Sequence, residues 1–171
     1  MSTTLAALYE HNLWANQIML KRCAELSDEQ LDATTTGTYG TIRDTLLHLV
    51  GAEERYVTQL TNQPPTPTVR ESDPFPGFNE LIGVNAASGQ SLIEIANEAV
   101  PGVVLRGKRR NGGSYEIVNT ILLTQAINHA TEHRAHINSV LTSLGVEPPD
   151  LDGWSYGEAH GQVSITDPPS A

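Results

Sequence analysis

The sequence predicts an all-α protein: a four-helix bundle with a long crossover between the second and third helices and a short β-hairpin between the third and fourth. Three observations carry that prediction. Apolar residues recur at three- and four-residue steps over four stretches, 3–25, 41–61, 77–99 and 119–144. The proline-rich stretch QPPTPTVRESDPFPG, 63–77, divides the second from the third. Between the third and fourth, NGG at 111–113 interrupts two weakly alternating segments, as a hairpin turn does.

The first helix carries Leu5, Leu8, Ala15, Met19 and Leu26 along its apolar line. Ser27 followed by Gln30 has the spacing of a capping box for a short turn. TTTGTYG, 34–40, then breaks regularity. The second helix places Ile42, Leu46, Leu49, Tyr56 and Leu60 on one stripe, with Glu53 unexpectedly on the same line. Prolines bar a helix over 63–77 and favour an extended path. Fifteen extended residues reach roughly 45 Å, longer than a helix of about 20 residues, so the segment can cross the bundle and return the chain parallel to the second helix. The third helix carries Phe78, Leu81, Leu92, Ile95 and Ala99, but its middle core positions are Asn85 and Ser88. That substitution implies a polar or hollow centre. In the fourth helix Leu123, Ala126, Ala130, His133, Ile137, Val140 and Leu144 step 3-4-3-4-3-4, and Gly145 with Pro148 and Pro149 stops it. Residues 1–145 therefore form the bundle. Residues 146–171 form a tail expected to pack on it, with a disordered end.

The chain has 171 residues, a formal net charge of −10 and a sequence pI of about 4.9. An acidic chain repels the phosphates of nucleic acid, which argues against that partner. The densest basic run, RGKRR at 106–110, reads as a solvated loop rather than a binding patch. The one cysteine, Cys23, has no disulfide partner in the chain and reads as a packed thiol. No basic-then-apolar leader is visible and no run of about 18 apolar residues occurs, so the expectation is a cytoplasmic protein without a membrane span.

The histidines are unevenly placed. Three of six fall in INHATEHRAHIN, 127–138, at His129, His133 and His136. His133 occupies a core position, and His129 lies four residues earlier on the same face, the spacing at which one helix offers two imidazoles to one metal ion. An imidazole is neutral near pH 7 and presents a lone pair, so no buried charge precedes the ion. A third ligand has to come from another helix. His48 is the best candidate, at the margin of the second helix's stripe and beside Thr45, Gly51 and Ala52, whose small side chains leave room for the ring to turn inward. Glu53 is a candidate acceptor for an imidazole N–H, and His136 sits one turn beyond His133. His11 reads as structural, near Trp14, and His160 has no regular element around it.

LYEHNLWANQIML near the start, LLHLVGAEERY in the second helix and INHATEHRAHINSVLTSLG in the fourth together resemble the DinB-like metalloprotein superfamily, over about residues 5–145. That superfamily includes thiol-dependent transferases that use bacillithiol or mycothiol. The resemblance implies a divalent ion, zinc or nickel, held by His48, His129 and His133, and a homodimer. Arg134 matches the residue after the last ligand. Ala135 and His136 depart from the family's usual glycine and glutamine. Imidazoles alone suit zinc, nickel, copper or iron.

Three histidines leave coordination positions open, whereas a closed structural site takes four protein ligands. The thiol-transferase relatives imply an ion that activates a small-molecule thiol for attack on an electrophile. In this chain Glu53 or His136 is the candidate orienter or base, and Arg55 or Arg134 the candidate cation at the mouth. The alternatives are a hydrolase using metal-bound hydroxide and a non-catalytic metal-binding or dimerising protein.

Overall fold

The computed structural model of the chain describes residues 2–63, 68–108, 111–164 and 166. Among these, four long helices make the bundle: α1 (Thr4–Cys23), α3 (Ile42–Thr61), α4 (Phe78–Glu98) and α5 (Asn119–Ser143). α2 (Asp28–Leu31) is the single turn announced by Ser27 and Gln30, and both bonds of its capping box are present. β1 (Val104–Lys108) pairs antiparallel with β2 (Ser114–Val118) around the NGG turn. α6 (Gly153–Ala159) is a short helix that periodicity did not announce. The expected disorder of the extreme C-terminus lies outside the described residues.

Local chemistry sets the boundaries. Thr3 and Thr41 cap α1 and α3, each side-chain oxygen accepting from a backbone N–H three residues on. α5 ends where Gly145 turns left-handed at φ 69°, a conformation that carries no penalty without a Cβ. α1 packs most extensively on α4, and α3 packs on both α5 and α4.

The core has two apolar ends and a polar middle. One end gathers Met19, Leu20, Leu46, Leu49, Leu81, Ile137 and Leu141. The other gathers Ala6, Tyr9, Leu92, Leu123 and Ala126. Between them each long helix contributes polar side chains: Asn12 and Asn16 from α1, Glu53 from α3, Asn85 and Ser88 from α4, Arg134 from α5, all buried. The inward face of α1 therefore runs Ala6, Tyr9, Asn12, Asn16, Met19 and Cys23. Leu8, expected on that face, is 51% exposed. Asparagine occupies core positions there, and a search for apolar periodicity passes over it. Cys23 is buried, and burial pushes its thiol up to about 12, consistent with a packed, unreactive sulfur.

Glu54 ties the crossover to α3. Both Glu54 carboxylate oxygens accept from the backbone N–H groups of Thr68 and Val69. The Val69 carbonyl then lies against Gly51, where an added Cβ would come within 2.9 Å of that oxygen. Gly51→Ala is thus expected to push the segment off the helix and to cost about 1–3 kcal/mol, the usual range for overpacking. A urea midpoint unchanged from the parent would contradict this.

Candidate metal centre

His48 projects from α3, and His129 and His133 from successive turns of α5. Their Nε2 atoms converge. His129 Nε2 is 2.9 Å from His48 Nε2 and 3.2 Å from His133 Nε2. One ligand nitrogen from each of the three lies within 4.8 Å of the others. His129 and His48 are half-buried, and His133 is 5% exposed. α3 packs on α5, which brings the His48 ring to the pair on α5.

The arrangement fits a cation better than it fits protons. A neutral imidazole carries one N–H, so a proton on His129 Nε2 can serve only one of its two close nitrogen contacts. If that nitrogen is unprotonated instead, its single in-plane lone pair has to be shared between both neighbours, so neither tautomer gives both contacts a full hydrogen bond. A divalent ion between the rings removes the conflict. Two nitrogens about 2.0–2.1 Å from a tetrahedral zinc stand roughly 3.3 Å apart, close to the spacings here.

The surroundings hold the rings. Tyr39 stacks on His48 with centroids 4.2 Å apart. Glu71 Oε1 lies 2.9 Å from His48 Nδ1, although the ring N–H direction misses good hydrogen-bond alignment. The same carboxylate accepts from the Tyr39 hydroxyl at 3.0 Å and from Arg55 at 3.3 Å. Burial pushes the Glu71 carboxyl up, but its contacts with His48, Tyr39 and Arg55 outweigh that and hold it below the usual range. Sequence reasoning missed Glu71. It lies in an aperiodic segment that the Glu54 anchor and the close approach at Gly51 bring to α3. A carboxylate behind a ligating imidazole fixes its tautomer and raises its basicity. Glu71→Gln is expected to weaken zinc binding by about 10–100-fold in chelator competition. Unaltered affinity would remove Glu71 from the site.

Glu53 does not reach an imidazole. Its Oε1 accepts from Asn12 and Asn16, both at 2.8 Å, and its Oε2 accepts from Asn85 at 2.6 Å and Ser88 at 3.4 Å. Arg134 also points inward and not to a mouth: it donates to the carbonyl oxygens of Asn12 and Asn16 at 2.8 and 2.6 Å. Two asparagines thus relay a buried carboxylate to a buried guanidinium. Burial pushes Glu53 up to about 7, opposed by its donors and by Arg134. Arg134 is lowered to about 10, again by burial, and stays cationic at neutral pH. The donor pattern favours the carboxylate, since Arg134 fixes both asparagines with their N–H groups toward Glu53. His136 sits behind His133, ring centroids 5.4 Å apart, with its Nδ1 buried and unpartnered among the described residues. Of the two orienter or base candidates, then, only His136 borders the cluster.

His11 and His160 lie elsewhere. His11 Nε2 is 2.9 Å from the Leu151 carbonyl, and both rings join Trp14 and Tyr156 where α6 packs on α1.

Burial lowers His129 and His133 to about 4, helped by the repulsion each would feel from neighbouring histidines. Both are therefore neutral ligands at pH 7. Between pH 6.5 and 4 the unfolded chain takes up protons on these residues that the fold refuses, so their contribution to stability is lost as pH falls through that window. Proton NMR of metal-free protein should show both rings titrating near pH 4. Ordinary titration near 6.5 would contradict the burial argument.

Comparisons with known proteins agree with this architecture. A model of the DinB family matches residues 1–166. A search of curated proteins finds no match. Among solved structures, a DinB-like protein from Bacillus cereus ATCC 10987 superposes with a TM-score of 0.61 at 16% identity, covering 85% of this chain and 94% of that one. At that identity the likeness speaks for the fold alone.

Proposed function

The chain belongs to the DinB family, and from that premise we propose that it is a divalent-metal-dependent S-transferase acting on a small-molecule thiol and an electrophilic co-substrate. One observation carries the reading: His48, His129 and His133 bring three ring nitrogens together, and no fourth His, Cys, Asp or Glu joins them among the described residues. Three protein ligands leave an open position, as catalytic sites have and closed structural sites do not. Zinc or nickel is the ion we propose.

A bound ion supplies Lewis acidity at that position and makes a thiol a nucleophile at neutral pH. The chain's own residues do the rest. His129 and His133 stay unprotonated because burial penalises their cations. Glu71 and Tyr39 hold the His48 ring. In the transfer, the thiol sulfur bonds to an electrophilic carbon, the leaving group departs with the bonding pair, and the thiol proton passes to solvent. The choice of a thiol rests on the resemblance to the thiol-dependent transferases.

The test compares zinc-loaded and metal-free protein with an electrophile, supplied either with a panel of thiols or with water alone. The expected result is thiol adduct formed only by the loaded protein. Thiol-independent turnover of the electrophile would replace the transferase reading with a hydrolase.

A further inference from the structure

A cleft of about 790 Å³ opens between the C-terminal half of α3, the end of the crossover and the hairpin. Arg55, Arg70, Glu71, Arg106, Lys108 and Tyr115 line it. Its volume lies within the range of small-molecule sites. Its charge is unlike that of the chain. The protein carries a net −10 with ten lysines and arginines, and four of those ten face this one cleft beside a single carboxylate. That carboxylate, Glu71, is already engaged by Arg55, Tyr39 and His48. Arg106 pairs with Glu116 across the hairpin. Among the described residues Arg70 and Lys108 have no ion-pair partner. The C-terminal end of α3 contributes about half a negative charge, too little to reverse the two cations left over once Glu71 and Glu116 are set against Arg55 and Arg106. Fields of one sign concentrate in clefts, so the local potential is positive despite the acidic whole.

Two features make this a shaped site. Gly107 faces Tyr115 across the strands, and a Cβ there would collide with the tyrosine ring, so the glycine lets the ring lie over the backbone. Arg55 and Glu71 also belong to the surroundings of His48, so the cleft and the histidine cluster share a wall. The basic run at 106–110, expected to be a solvated loop, supplies Arg106 and Lys108 from β1. Arg109 and Arg110 lie outside the described residues.

We propose that this cleft is an anion subsite for a small molecule bearing two or more carboxylates, or a phosphate, with its reacting end directed past Arg55 toward His48. The direction assigned to the reacting end rests on the transferase reading; anion binding in the cleft does not. A thiol substrate with such groups would be held by Arg70 and Lys108, with Arg55 and Arg106 beside them, while its sulfur reaches the cluster.

Calorimetry on the full chain, metal-free and zinc-loaded, at low ionic strength tests this. The probes are propane-1,2,3-tricarboxylate, which lacks the hydroxyl that makes citrate a strong chelator, and inorganic phosphate. Saturable binding of at least one is expected, and the tighter of the two identifies the anion chemistry. The Arg70→Gln/Lys108→Gln double variant, both positions exposed, should bind about tenfold more weakly or worse, with an unchanged circular dichroism spectrum. Metal-free His133→Ala should bind as the parent does. In the transfer assay the double variant should raise KM for the thiol and leave kcat in place. Absence of saturable binding, or equal binding by the double variant, overturns the subsite whatever the metal assays give. Anion binding that persists in a chain that takes up no metal leaves the subsite standing and overturns the transferase reading.

Discussion

His133→Ala is expected to reduce zinc affinity by about a hundredfold or more. Removing a residue that merely orients a ligand typically costs 10–100-fold, and removing a ligand costs at least as much. The two imidazoles left behind, one on each helix, leave the ion largely solvated. Elemental analysis after gel filtration, with chelator competition for the affinity, reads this directly. Equal metal content in parent and variant would end the proposal. The variant should stay folded, because His133 is neutral in the core and its loss leaves no buried charge behind. In the parent, zinc should raise the melting temperature with concentration, as any ligand that binds only the native state does. In His133→Ala that dependence should nearly vanish.

The second large effect lies beneath the site. Arg134→Met removes the cation that offsets Glu53 and strands the side-chain carbonyl oxygens of Asn12 and Asn16. Breaking one side of a buried charge pair typically costs about 3–5 kcal/mol, because the remaining charge is uncompensated. Glu53→Gln should be comparably harmful, since a side-chain amide presents N–H groups to a pocket already filled with donors. The double variant should lose less than the sum of the single losses, because the two groups act through the same pair of asparagines. Urea denaturation of the four proteins measures this. Strict additivity would show that the relay carries no coupling. Arg134 adjoins His133 in sequence, so the same variants should also loosen zinc binding.

Most of the fold was legible because its signals are local. Helical periodicity, the Ser27–Gln30 box, the NGG turn and the Gly145 stop each act within a few residues, and each appears where the sequence placed it. Convergence of His48 with His129 and His133 was legible for a related reason, since helix spacing fixes two rings and the pairing of helices brings the third. Glu71 was not legible. Its approach to His48 depends on an aperiodic crossover, pinned at Glu54 and Gly51 by contacts that no local pattern encodes. Glu53 stood out as an acid on an apolar stripe, and Asn85 and Ser88 correctly implied a polar centre. Its partners were misassigned because Asn12 and Asn16 look like ordinary helix-surface residues until the bundle closes. The cationic cleft was hidden in the same way, since it joins α3, the crossover and the hairpin from distant parts of the chain.

The central claim is that three imidazoles from two helices share one divalent ion. Zinc K-edge X-ray absorption of protein loaded with one equivalent of zinc tests it most directly. The account predicts three imidazole nitrogens at about 2.0–2.1 Å, with light-atom scattering only from whatever completes the shell. A spectrum with a sulfur neighbour, or one lacking the imidazole outer-shell pattern, would contradict it.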